Sequence, residues 1–389
     1  MRRRLGLLLA SCLPAVAWLG CNAILGNESA VFAPEGVEAS LDPDGDARID
    51  GAPSDAPAVL PDGADPDPDA GPCVDVATNA KHCGTCFHDC LGGSCTGGVC
   101  QPFQLATDES GPFAIAVDAT HVYWTNRTTG NLKRVPISGG NAQMVFDGPP
   151  GTPLGDELAV HGGMVYFAHT VGDAGVVRCP VGGCPSGGPI PVVETDGEVS
   201  FVKIENGVLL FIVPAEGQVG RCPLPCNGAP EIVASGEPLP LRASQSGSVI
   251  AWSVITNNLR IKNGAATPLS IPTGAGYATG ITVSGGSVYA QEHNLGPLVA
   301  PTDGGPVRRL SSSTFSFSEE IALDDTSVYF TDTTPGGRVM RCPRSGCGDS
   351  GAALATGQQQ PRGIAVDAKS VYWVTEGTSG VGMIMRVAK

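Results

Sequence analysis

An all-β, seven-bladed β-propeller is the fold class that this 389-residue sequence predicts. Three observations predict it. An aromatic-centred strand pattern recurs seven times, at a spacing of about 40 residues. The composition holds 54 Gly and 33 Pro with only 16% charged residues, which suits many short strands joined by many turns. A lone strand ahead of the first copy matches the strand missing from the last, so the copies can close into a ring without an exposed edge.

The pair Tyr123-Trp124 recurs as Tyr166-Phe167, Leu210-Phe211, Ala251-Trp252, Tyr289-Ala290, Tyr329-Phe330 and Tyr372-Trp373, at intervals of 43, 44, 41, 38, 40 and 43 residues. Ahead of each pair lies a short alternating strand, such as Ile115-Ala116-Val117 or Ile364-Ala365-Val366. The fourth copy is the weakest there, reading Ala243-Ser244-Gln245. A tight turn follows, with Asp118, Asp324 or Asp367 placed to bond backbone amides two residues on. A third strand carries Arg134, Arg178, Arg221, Arg260, Arg341 or Arg386, and a fourth reads like Met144-Val145-Phe146 or Ala353-Leu354-Ala355-Thr356. The seventh copy stops after its third strand. Gln104-Leu105-Ala106-Thr107 precedes the first blade as Ala353-Leu354-Ala355-Thr356 precedes the last, and is the expected closing strand. Six blades are the alternative, with the fourth copy as an irregular connection.

Tyr123-Trp124-Thr125-Asn126 and Tyr329-Phe330-Thr331-Asp332, each followed by a turn and an Arg-bearing strand, resemble the YWTD repeat of β-propellers. The broader pattern is similar to NHL-type propellers. The resemblance implies a propeller over 101–389, although YWTD propellers usually have six blades.

Upstream, Arg2, Arg3 and Arg4 precede an apolar run from Leu5 to Leu19, as in a secretory signal. Leu19-Gly20-Cys21 resembles the lipobox of bacterial lipoproteins, which implies cleavage before Cys21 and lipidation of its thiol. Trp18 and Leu19 depart from the usual residues, and Cys12 offers a local match with too short an apolar run. Parity favours Cys21: losing Cys12 with the signal and Cys21 to lipid leaves twelve of the 14 cysteines to pair. Residues 1–21 are therefore expected to be a lipoprotein signal, and the chain to be extracytoplasmic, anchored to the outer membrane or cell surface. Residues 22–72 carry twelve acids against one Arg, with stretches such as Asp65-Pro66-Asp67-Pro68-Asp69, and read as a disordered tether. Asp42, Asp44, Asp46 and Asp50 have a faint calcium-loop spacing, but Ala47 stands where the loop needs Gly.

Residues 73–100 hold Cys73, Cys83, Cys86, Cys90, Cys95 and Cys100, with His82 and His88 interleaved. Six thiols are too many for one tetrahedral zinc, and so small a segment has too little core to fold unstapled, so three disulfides are expected. Their connectivity stays open among fifteen pairings. In the propeller, Cys179 with Cys184, Cys222 with Cys226 and Cys342 with Cys347 recur just past the third strand, as local disulfides would.

The net charge of −15 sits mostly on the tether; residues 101–389 carry −6 and no basic stripe, which argues against nucleic-acid binding. The loops after the second strand and the connections between blades share one face. That face gathers Asp108, Glu109, Asn126, Asp156, Glu157, His169, Asp196, Glu198, Asn257, Glu292, His293, Asp332 and Glu376. Asn126, His169, Asn257, Glu292, His293, Asp332 and Glu376 are the ligand-face candidates. Such a ring suits a cation, a basic peptide or a sugar. The expected role is a tethered, monomeric binding or scaffold module for a protein, peptide or glycan, meeting the membrane only through its lipid. No cofactor or metal is expected, and no P-loop, Rossmann, G-x-S-x-G or H-E-x-x-H motif occurs. The alternative is a metal-assisted lyase or hydrolase at the channel mouth, using His293, Glu292 and His169. Streptogramin-lyase-like propellers resemble this arrangement in using a top-face His with acidic partners and a metal. No motif here matches theirs, so no residue role is carried over.

Overall fold

The computed structural model describes residues 73–152, 154–169, 175–274, 276–315, 320–349 and 351–389. The expected lipidation site Cys21, the expected signal and the expected acidic tether lie outside the described residues. Seven four-stranded antiparallel sheets form the seven blades of a β-propeller, and one three-residue 3-10 turn, Pro214–Glu216, is the only helical element among the described residues. Each of blades 1 to 6 uses four consecutive strands, here called a to d. Blade 1, for example, comprises Pro112–Val117, His121–Asn126, Asn131–Pro136 and Gln143–Asp147. Blades 2 to 6 begin with Leu158–His161, Phe201–Glu205, Pro240–Ser246, Ala278–Ser284 and Ile321–Leu323. Blade 7 takes Pro361–Val366, Ser370–Thr375 and Val381–Ala388 as its a, b and c strands, and Phe103–Ser110 as its d strand.

The aromatic pairs sit at the centre of the b strands, where both faces of a blade are covered by its neighbours. Trp124, Trp252, Trp373, Tyr123, Tyr329 and Tyr372 are almost fully buried. The a strands of successive blades touch around the axis. That crowding explains the small residues there. A Cβ on Gly280 would meet the backbone nitrogen of Ile321 at 2.7 Å, and one on Gly363 the carbonyl of Phe113 at 2.5 Å.

The weak fourth copy is a full blade. Pro240–Ser246 pairs with Val249–Val254, aligning Ala243 with Trp252 and Ser244 with Ala251. Its polar residues tie three blades together. Ser244 Oγ donates to Glu205 at 2.9 Å and accepts the amide of Val283 at 2.8 Å, and Arg221 donates to Gln245 Oε1 at 2.9 Å.

The ring closes as expected from the sequence, with Phe103 paired to Arg386 and Ser110 to Val381. A second fastening lies beyond the pairing. Glu109, 2% exposed, accepts Trp124 Nε1 at 3.0 Å, Asn126 Nδ2 at 2.6 Å and Lys133 Nζ at 3.1 Å, all from blade 1.

Residues 73–100 are stapled by Cys73–Cys86, Cys83–Cys95 and Cys90–Cys100. The sulfurs of Cys83, Cys90 and Cys100 lie within 4.8 Å of one another, but each is committed to a disulfide rather than to a thiolate cluster. In the propeller, Cys179–Cys184, Cys222–Cys226 and Cys342–Cys347 close the c–d turns of blades 2, 3 and 6. The Cys-rich module packs against blades 6 and 7, sharing a core with Tyr329, Val371 and Met385. His88 lies between two carbonyls, with Nδ1 2.6 Å from that of Cys83 and Nε2 2.7 Å from that of Lys389.

Candidate functional site at the channel mouth

Antiparallel order fixes two faces. The b–c turns and the connections from d to the next blade emerge on one face, here the top; the a–b and c–d turns emerge on the other. Lys389 follows the c strand of blade 7, so the Cys-rich module occupies the bottom. At the top face Asp156, Glu157 and Glu320 precede their a strands and enter the channel, here called its mouth.

The innermost position of the a strands sets the channel's chemistry. Aligned across the copies it reads Ala116, Ala159, Lys203, Ser244, Thr282, Ala322 and Ala365. Three consecutive blades thus place polar side chains where the other four place a methyl. A cavity of about 220 Å³ results, split in character. One wall, from blades 2 to 5, offers Asp156, Glu157, Lys203, Glu205, Arg242 and Thr282. The other, from blades 6, 7 and 1, offers Ile321, Ala322, Leu323, Ile364, Phe113 and Ile115, interrupted by Glu320.

Most of these charges are engaged. Lys203 donates to the carbonyl of Ile281 at 3.0 Å and to Thr282 Oγ1 at 3.2 Å, and lies 3.3 Å from Glu205. Its burial disfavours the ammonium, but Glu205, Glu157 and Glu320 outweigh that and hold it above the usual lysine value. Asp156 pairs with Arg127, and Arg242 Nη1 reaches it at 3.5 Å. Each arginine also lies over a ring, Arg127 3.1 Å from the centroid of Phe113 and Arg242 5.8 Å from that of Phe201.

Glu157 differs. Its Oε1 is shut off from solvent without a hydrogen bond, 3.8 Å from Arg242 Nε. Burial first, then the charge and hydrogen bond of Glu320, push its carboxyl well above the usual range, against the opposing pull of Arg242 and Lys203. Glu157 comes from blade 2 and Glu320 from blade 6, so the pair meets across the channel. Two carboxyls in contact can share one proton, which makes them a proton reservoir or, once ionised, a cation cradle.

The seven ligand-face candidates lie at the top, but none lines this cavity. Five anchor top loops or the turns beside them. Asn126 donates to Glu109 and Asn131; buried Glu292 accepts the amide of Gly276 at 2.7 Å and Arg309 at 2.5 Å. Asp332 holds Arg338 and Thr334, and Glu376 accepts Arg362 Nε at 2.9 Å. Asn257 adopts a left-handed turn, and its carbonyl accepts the amide and hydroxyl of Thr273. His169 packs edge-on to Phe146 and His293 stacks on Tyr277 at 4.9 Å, in blades 2 and 5 respectively. Burial lowers both imidazoles below the usual value. Sequence reading had Asp156 and Glu157 on this face but missed Glu320, Lys203, Glu205, Arg242 and Arg127. The aligned column of alanines broken by Lys203, Ser244 and Thr282 was the available signal.

No family model matches the chain, and no curated protein matches it. Solved structures share the fold. Virginiamycin B lyase from Staphylococcus aureus superposes with a TM-score of 0.58 at 14% identity, covering 74% of this chain and 98% of the other. The WD40 propeller domain of Doa1 gives 0.59 at 10% identity, covering 73% and 96%. YCF48 bound to D1 peptide gives 0.53 at 10% identity, covering 74% and 96%. At these identities the likeness establishes the β-propeller and no activity.

Proposed function

We propose that this chain is an extracytoplasmic binding module, tethered through Cys21 and the acidic segment, that presents the top face of its propeller to a peptide or protein ligand. The observation that carries the reading is the split cavity at the mouth, with charged groups converging on one wall and an apolar wall opposite. The top face also carries an exposed apolar pair. Leu239 and Ile255 of blade 4 adjoin through the Ile255 amide at the top end of their strands and are 47% and 38% exposed. Leu239 holds a left-handed φ of 49° before Pro240, an unfavourable conformation for leucine. YCF48, a propeller of similar size, is solved with a bound peptide, in keeping with such a role. The test is a peptide array probed with the full chain and with Leu239→Asp/Ile255→Asp. Capture of peptides by the parent and its loss in the variant is the expected result; an array that captures nothing overturns the reading.

The upward shift of the Glu157 carboxyl also favours a second reading, a lyase or hydrolase with this group as general acid. Turnover of ester or lactone substrates that vanishes in Glu157→Gln would support it, and turnover indifferent to that change would remove it.

A further inference from the structure

We propose that the channel mouth accepts one basic side chain, lysine or arginine, from a peptide or protein segment lying on the top face. Its cationic head would sit between Glu157 and Glu320, and its stem against the apolar wall of blades 6, 7 and 1. The inference rests on the binding reading and specifies its ligand.

Three observations support this occupant. The cavity, about 220 Å³, is smaller than the roughly 300–1,000 Å³ typical of whole small-molecule sites. It fits the tip of a larger ligand. Its walls match the amphipathic build of a basic side chain, with apolar methylenes and a charged end. The charges facing Glu157 are Glu320, Arg242, Lys203, Glu205 and Asp156. Lys203 spends its donors on Ile281, Thr282 and Glu205, and Asp156 takes Arg127 and one arm of Arg242. Glu157 lines the cavity, its Oε1 shut off from solvent without a hydrogen bond and Arg242 Nε 3.8 Å away.

A guest cation takes the place of the shared proton. Burial and Glu320 favour the protonated form of the Glu157 carboxyl, and a cation beside it favours the carboxylate, the proton passing to solvent. Binding is therefore coupled to proton release, and it tightens as pH rises until Glu157 ionises unaided.

Calorimetry on the full chain tests this with n-butylammonium and n-butylguanidinium, against butyramide and butyrate, in buffers of different protonation enthalpy. The cations should bind at least about tenfold more tightly than butyramide, since truncating one partner of a buried charge pair costs that much or more. Their heats should depend on the buffer in the sense of proton release. Glu157→Gln should abolish both the preference and the proton release. If that variant misfolds, the buffer comparison on the parent still decides. Equal binding of cation and amide, or no proton release, overturns the inference while a positive peptide array leaves the binding reading standing. An array that captures nothing removes both.

Discussion

Single residues fasten this ring where strand pairing alone would leave it weak. Glu109 links the closing strand to Trp124, Asn126 and Lys133 of the next blade. Removing one partner of such a buried charged set leaves the rest unpaired, so Glu109→Ala should cost about 3–5 kcal/mol, and Glu109→Gln less. Urea denaturation measures the difference; a loss within surface-substitution noise would refute the latch. A second device recurs. Tyr329 and Tyr372 donate to Asp324 and Asp367 at 2.7 and 2.8 Å, five residues back across the a–b turn. Burial, then the acceptor carboxylate, pushes both phenols up to about 12. The neutral phenol is the form the fold favours. Its contribution is complete below the unfolded value of about 10 and is lost as pH rises through the folded one. Tyr329→Phe/Tyr372→Phe should therefore flatten the fall in stability over that alkaline window, as followed by the urea midpoint against pH. Asp324 works in the opposite direction. Partial burial raises it, but hydrogen bonds from Lys389, Tyr329 and Thr326 prevail and hold it well below the usual range, so its share is lost in acid. The turn aspartates were legible in the sequence, because Asp at a turn bonds nearby amides. The tyrosine partner was not, since only the antiparallel pairing brings it back to the turn.

At the scale of elements, six disulfides divide by what they hold. The three in residues 73–100 stand in for a core that so short a segment lacks. The three in the propeller pin turns within blades that already have cores. For Cys179–Cys184, a separation of 5 residues limits the entropic gain, and Cys179→Ser/Cys184→Ser should cost about 2 kcal/mol or less. Thermal unfolding of that variant checks it; outright failure to fold would mean the bond does more than close a short loop. Blade 4 teaches the complementary lesson. Its a strand looked weak because Ser244 and Gln245 lack apolar character, yet those groups bridge Glu205, Val283 and Arg221 on other strands. Periodicity detects a strand by its apolar side and is blind to one whose partners are polar.

For the whole molecule, the blade count and closure were readable because each copy repeats one local pattern. The mouth was not. Glu157 and Glu320 are 163 positions apart by their numbering and meet only because a closed ring sets blades 2 and 6 across an axis. The loop residues that stood out in the sequence, such as Glu292 and Asp332, are instead held by arginines of their own blades. Deleting residues 101–110 should abolish the closed monomer, because blade 7 loses its outer strand and Glu109 its place. Size-exclusion chromatography with light scattering would register aggregation or a larger hydrodynamic radius, and an unaltered monomer would contradict this account of closure.

The borrowed strand also orders events in time. Phe103–Ser110 is the first ring strand to be synthesised, and its partner Val381–Ala388 the last; Gln104 and Met383 touch across 279 positions. Until synthesis reaches that partner, the growing chain is an open arc with both terminal blades exposing unpaired backbone, the state most prone to pair with another copy. Acquisition of the native ring thus waits for the last of its strands. For the whole of that interval the arc carries an aggregation hazard that the closed ring does not.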